Sequence, residues 1–161
     1  MPKADVIAEL RAARAALEQS IEGLTDDQML QIGAAGFWSV KDVLAHLVSW
    51  EAELVTVLSQ LEQYQRRAPR MVEIEDIDDW NEEQYRINVS RPLAVIRDDF
   101  HGVHKHLIRA IEDLDDRTLD DNRRWSWMEG EPLRYLILEN ATWHEEEHAE
   151  DIRAWREAED V

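Results

Sequence analysis

The sequence predicts an all-α protein, and three observations carry the prediction. Its long segments place apolar residues three and four apart rather than in alternation, no two segments read as a strand pair, and only five glycines and four prolines punctuate 161 residues. A chain of this length can bury a sizeable core, so residues 1–161 are expected to form a single domain of four long helices and one extra short helix.

The first helix is expected over about residues 3–23, with Val6, Leu10, Ala13, Leu17, Ile21 and Leu24 on one face. Thr25-Asp26-Asp27 reads as the cap of a short helical turn, and Gly33 to Gly36 as a loop ending at Phe37-Trp38. Ser39, with Asp42 three residues later, is an N-cap with an acidic first turn. It opens a second helix over about 40–66, whose stripe is Val43, Leu47, Trp50, Leu54, Val57 or Leu58, and Leu61. An acidic connection from Val72 comes next, and Asp79 is expected to cap the short helix, which ends near Val89. The third helix starts at Ser90-Arg91-Pro92 and carries Leu93, Ile96, Phe100, Val103, Leu107, Ala110 and Leu114, the spacing of a bundle seam. Asp115 to Glu131 connects it to a fourth helix that begins at Pro132, where a first turn tolerates proline.

Charge and composition exclude several classes of function. The net charge of -18, from 36 acidic and 18 basic residues, repels phosphate backbones and anionic membrane surfaces, so neither nucleic acid nor membrane is an expected partner. A small neutral or cationic molecule is not disfavoured. No apolar run approaches the length of a membrane span and no N-terminal signal pattern precedes the first helix, which predicts a soluble, cytoplasmic protein. The absence of cysteine removes disulfides, a thiolate nucleophile and cysteine-ligated zinc.

The chemistry concentrates near the C-terminus, in His144-Glu145-Glu146-Glu147-His148. Histidines four apart on a helix stand on one face and can grip one divalent ion. The string also matches H-E-x-x-H of the zinc proteases, with Glu145 as general base. A zincin needs a further ligand downstream, however, and no histidine follows His148, so a peptidase is not expected. Upstream, the best third ligand is His46, two turns into the second helix beside Val43, Leu47 and Trp50. A lone histidine there also reads as a neutral core imidazole bonded to a carboxylate. The fourth helix favours a ligand. Its stripe runs Leu133, Leu136, Ile137, turns polar at Asn140, His144 and His148, and becomes apolar again at Ile152 and Trp155. Such groups buried without partners would cost about 1–3 kcal/mol each, which a metal or bound polar ligand would offset.

Around this set, Glu145, Glu146 and Glu150 read as solvated face, while Glu147 and Asp151 flank the stripe and could orient the imidazoles. Glu51, Glu147 and Asp151 are the candidate general bases. Trp38, Trp50, Asn140 and Trp143 are candidates for a substrate pocket, with the loop of Trp125 and Trp127 at its edge. His101 and His104 form a competing pair on the third helix, set among Arg97, Lys105 and Arg109, whose charge would repel a cation.

The stretch Trp38-Ser39-Val40-Lys41-Asp42-Val43-Leu44-Ala45-His46-Leu47, the His-x3-His pair, Trp50-Glu51, Trp80-Asn81-Glu82-Glu83, Arg91-Pro92-Leu93 and Ile152-Arg153-Ala154-Trp155 together resemble the DinB-like superfamily and, within it, the ClbS/DfsB family. The resemblance spans nearly the whole chain. It implies an up-down-down-up four-helix bundle, often a homodimer, with a divalent ion (zinc, nickel, manganese or iron) on His46, His144 and His148. It also implies chemistry on small molecules, since superfamily members include transferases and isomerases that use low-molecular-weight thiols, and the ClbS-like branch includes a resistance protein that hydrolyses a cyclopropane in a genotoxin. ClbS-like members often carry an aromatic residue within or just before the last histidine pair. Here Trp143 precedes the pair and three glutamates fill it. Three readings are open: a metal-dependent hydrolase or thiol-dependent transferase, a protein that sequesters a reactive small molecule without turnover, and a metal-free structural bundle.

Overall fold

A computed structural model describes residues 1–161, and it is helical throughout. The only β pairing is an isolated bridge between Ala35 and Trp38. The helices are α1 (Lys3–Ile21), α2 (Asp26–Met29), α3 (Val40–Ser59), α4 (Arg70–Glu73), α5 (Ile77–Asn88), α6 (Leu93–Glu112), α7 (Asp116–Asp120), α8 (Leu133–Ile137) and α9 (Trp143–Glu159), with a π-helical turn over Leu138–Thr142 joining the last two. No helix is long and apolar enough to cross a membrane.

Local chemistry sets most of the boundaries. Thr25 with Gln28, and Ser39 with Asp42, form reciprocal capping boxes that start α2 and α3. The second long helix ends at Ser59, earlier than its stripe suggested. Gln60 leaves helical geometry there, and Leu61–Tyr64 continues as a 3-10 turn that still buries Leu61. Asp76, not Asp79, caps α5: its side chain accepts from the Asp79 amide. Prolines 92 and 132 stand one residue before α6 and α8, where the amide each lacks is not needed.

Contacts at the helix ends orient the bundle. Arg156, late in α9, donates to the carbonyls of Ser20 and Glu22 at the end of α1, so these two helices run in the same direction. Lys3, at the start of α1, reaches the carbonyls of Glu112 and Leu114 at the end of α6, so that pair runs in opposite directions. Helix α3 packs chiefly on α6, with Val43 and Leu44 near its start in one cluster with Ile96 and Phe100 near the start of α6. These contacts are consistent with an up-down-down-up order. Helix α5 buries no residue fully and lies across the flank of α3.

The core consists of two apolar clusters rather than one. The first holds Leu10 of α1, Leu54 and Leu58 of α3, Leu107 of α6, and Leu133 and Ile137 of α8. The second holds Leu17, Leu44, Leu47, Phe100, Ala149 and Ile152. In α1, α3 and α9 a buried charge separates the two clusters: Arg14, Glu51 and Glu145.

Candidate metal centre

The capping box fixes where α3 begins and so places His46 two turns into it, on the edge of the buried stripe. On the other side of the site, the π turn immediately precedes Trp143, so His144 and His148 occupy the first turns of α9. A π turn takes one extra residue into the helical ladder, so the residues beyond it are offset by about one position around the helix from where an uninterrupted α-helix would place them. Leu133 and Ile137 face one apolar cluster ahead of the turn, and the two histidines face α3 beyond it.

The three imidazoles converge. One nitrogen from each of His46, His144 and His148 lies within 4.8 Å of the others. The Nε2 atoms of His46 and His144 are 2.8 Å apart, so one donates and the other accepts. Ring centroids are separated by 4.7, 5.1 and 4.9 Å for the three pairs. Behind the site, His148 Nδ1 is 3.1 Å from the Asp151 carboxylate, and the Trp38 ring centroid lies 4.8 Å from that of His46.

Burial keeps all three rings neutral. It lowers the pKa of His46 to about 2, helped by His144 and His148. It lowers that of His144 to about 4, helped by His148 and opposed by the Asn140 carbonyl and by Glu145. His148 is also lowered by burial, against the pull of Asp151 and Glu147. Neutral imidazole is the ligating form. Two nitrogens about 2.0–2.1 Å from one ion in tetrahedral geometry stand about 3.3 Å apart, so the His46–His144 pair need open only slightly to share an ion. The donor set therefore fits a divalent metal.

A cleft of about 550 Å³ leads to these rings. Trp50, Met71, Ile77 and Leu136 form its apolar wall. Asn81, Asn140, Glu139 and Glu147 supply its polar groups, and neither lysine nor arginine lines it. Trp50 is held by an Nε1 donation of 2.9 Å to Asn81 Oδ1 and by the ring of Trp80, whose centroid is 4.4 Å away. Helix α5 thus forms one side of the cleft. It also brings Tyr85 alongside Trp38, which packs on His46 but does not line the cleft.

Several of the expected residues lie elsewhere. Trp143 is exposed and packs on Tyr135, and it does not line the cleft. Glu51 is fully buried and absent from the cleft lining, which removes it as a base acting on a ligand there. Trp125 belongs to the core, and Trp127 is tied to the Tyr64 carbonyl, so their loop does not border the cleft. His101 lies 3.6 Å from Glu18, while His104 Nδ1 is buried without a partner. Neither joins the three-histidine group.

The largest correction concerns Glu145, which is fully buried rather than solvated. Its Oε1 accepts from Arg14 Nε at 3.0 Å and from Arg14 Nη2 at 2.7 Å, while Arg14 Nη2 also lies 3.1 Å from Glu51 Oε2. Arg14 Nη1 donates to the Phe100 carbonyl at 2.7 Å, and the guanidinium carbon sits 3.6 Å from the centre of the Phe100 ring. Burial pushes the Glu51 carboxyl well above the usual carboxylate range, reinforced by Glu145 and opposed by Arg14. The glutamate of the H-E-x-x-H string is thus bound to an arginine on the face of α9 turned away from the cleft.

Sequence reasoning missed this network, although a signal was present. Leu10, Arg14 and Leu17 share one face of α1, and Leu44, Leu47, Glu51, Leu54 and Leu58 form an unbroken three-and-four seam on α3. On the last helix Ala141, Glu145, Ala149 and Ile152 do the same, with alanines where large apolar residues draw more notice.

Known proteins share both the sequence pattern and the fold. The sequence profile of the DinB superfamily matches residues 9–152. No curated protein matches the sequence. Among solved structures the fold is similar to DfsB, described as a sibling lethal factor precursor, with a TM-score of 0.81 at 16% identity over 99% of this chain and 97% of that one. It is similar to the colibactin self-resistance protein ClbS in complex with a dsDNA, with a TM-score of 0.80 at 12% identity over 96% of this chain and 95% of that one. An uncharacterised protein from Escherichia coli UTI89 gives a TM-score of 0.77 at 15% identity over 99% and 95% of the two chains. At these identities the neighbours speak for the fold, and the profile speaks for descent. Matched from residue 9 to residue 152, the chain belongs to the DinB superfamily.

Proposed function

We propose that the protein is a divalent-metal-dependent enzyme acting on a small organic molecule, of hydrolase or thiol-transferase type, with His46, His144 and His148 holding the ion. The observation that carries this reading is the convergence of three neutral imidazoles within 4.8 Å at the base of a cleft of about 550 Å³. A divalent ion held by these three imidazoles would keep an open coordination position, where it would lower the pKa of a bound water to about 7 and hold a bound thiol as thiolate. The chain's own residues supply the rest. Asp151, on His148 Nδ1, orients that ring. Glu147, exposed and lining the cleft, is the carboxylate free to take a proton from a bound ligand. Trp50, Met71 and Leu136 keep water from one side of the ligand, and Asn81 and Asn140 offer hydrogen bonds.

With Glu139 and Glu147 at the cleft and no basic residue, the site suits a neutral or cationic molecule better than an anionic one. The neighbour ClbS was solved with a dsDNA, whereas this chain carries a net charge of -18, so nucleic acid is not proposed as its ligand. Elemental analysis of the purified protein beside His148→Ala tests the metal. Turnover of a panel of small electrophiles and esters, before and after chelation, tests the chemistry. Stoichiometric metal lost in the variant, with chelation-sensitive turnover, is expected. Equal turnover in chelated protein and in His144→Ala would remove the metal from the function, and saturable ligand binding without turnover would favour sequestration.

A further inference from the structure

The Arg14 network forms a layer across the whole bundle. Arg14 of α1, Glu51 of α3 and Glu145 of α9 all lie between the two apolar clusters, and Arg14 also bonds the backbone of α6 at Phe100. His104 of α6, with its buried unpartnered Nδ1, stands at the same level between Phe100 and Leu107. The two carboxylates are not placed at random with respect to the site. Glu145 directly follows His144, and Glu51 lies five residues beyond His46 on the same helix. One guanidinium therefore ties together the two helices that carry the three imidazoles, using directed bonds of 2.7 to 3.1 Å on side chains that are 5% exposed or less.

Apolar packing is adaptable enough that directed bonds define the register of such helices more sharply than shape alone. A fork-shaped donor between two buried carboxylates permits only one register. We propose that Arg14 is a positioning residue: by holding Glu51 and Glu145 on one guanidinium it sets α3 against α9 and so holds His46 in register with His144 and His148. This rests on the reading of the three histidines as a metal site, but the position of the rings can also be read without metal.

The test uses three proteins: the natural chain, Arg14→Lys, which keeps the charge and loses the fork, and a triple variant, Arg14→Met with Glu51→Met and Glu145→Met, which replaces the ionic layer by apolar side chains of similar volume. Cobalt(II) titration gives affinity and, from the visible d–d bands, coordination geometry. Imidazole 15N spectra of the metal-free proteins report whether His46 and His144 remain hydrogen-bonded. Circular dichroism checks that each variant is folded. The proposal expects cobalt to bind 10-fold to 100-fold more weakly in Arg14→Lys and in the folded triple variant, with altered d–d bands and altered His46 and His144 ring signals. Natural affinity, bands and ring signals in a folded triple variant would overturn it. If the triple variant does not fold, the same readouts on Arg14→Lys decide. If the natural chain binds no cobalt, the metal reading fails by itself, and the ring signals still decide the role of Arg14: unchanged in the variants, they overturn it, and shifted, they support it.

Discussion

Mild acidification should destabilise the metal-free protein through its buried imidazoles. His46 and His144 stay neutral in the folded chain down to about 2 and about 4, because burial disfavours their charged forms. In the unfolded chain each takes a proton below about 6.5. Between pH 6.5 and about 4 the unfolded state therefore binds more protons than the folded one, so stability is full above that window and falls as pH drops through it. At pH 5 the loss is about 2 kcal/mol per histidine, or about 4 kcal/mol for the two, before partial exposure reduces it. For a chain of this size about 3 kcal/mol corresponds to a fall in Tm of about 10 °C. The assay is a set of thermal melts on chelated protein from pH 8 to pH 5 at fixed ionic strength, with a His46→Asn/His144→Asn variant alongside. The variant should show a much flatter profile. A natural protein whose Tm does not change over that range, or a variant that loses as much, would refute the assignment of the two rings as neutral buried groups.

The same geometry sets three further outcomes. Arg14→Met alone leaves two buried carboxylates without their cation and should cost about 3–5 kcal/mol in urea melts, whereas the triple methionine variant should recover most of that loss. Asp151→Asn should weaken zinc binding about 10-fold to 100-fold in a competition assay while leaving the melt of the metal-free protein almost unchanged, since Asp151 acts on the His148 ring and its side chain is 44% exposed. A zinc-loaded sample should cleave no member of a peptide panel, because Glu145 is held by Arg14, and metal-dependent cleavage abolished by Glu145→Gln would contradict this.

The helices and the histidine pair of α9 were legible in the sequence for a common reason: both depend on spacing along one helix. His46 on α3 joins that pair only through its own polar place beside an apolar stripe and through the family resemblance. Ser39 and Asp42 announce the start of α3, and the polar interruption at Asn140, His144 and His148 points to a site on α9. Features that depend on which neighbouring helix lies opposite were not legible. Glu145 looked solvated because two glutamates follow it, while its real surroundings, Ala141 and Ala149 on one face with Arg14 across the gap, involve small residues and a partner 131 positions away. Trp143 looked like a pocket residue because it adjoins His144. A step of one residue turns the side chain about 100° around the helix, and that carries Trp143 outward onto Tyr135. The end of α3 was missed for a different reason. Leu61 continues the apolar stripe, and a 3-10 turn can bury a residue at that spacing as well as an α-helix can.

The π turn over Leu138–Thr142 has a consequence for how this sequence can change. It is the one place in the last helix where adding or removing a residue is already absorbed by the backbone, so it separates two segments that would otherwise be mechanically geared together. Deleting a single residue there would restore the ordinary ladder and leave Leu133, Leu136 and Ile137 on nearly the same side as before relative to His144 and His148. The same deletion in the regular turns on either side would rotate one set against the other by about 100°. After such a deletion in a regular turn, either the lower core or the imidazoles would face the wrong way. One-residue length variation among related chains should accordingly be tolerated within this turn, as in the 115–131 connection, and suppressed in the α-helical turns on either side of it.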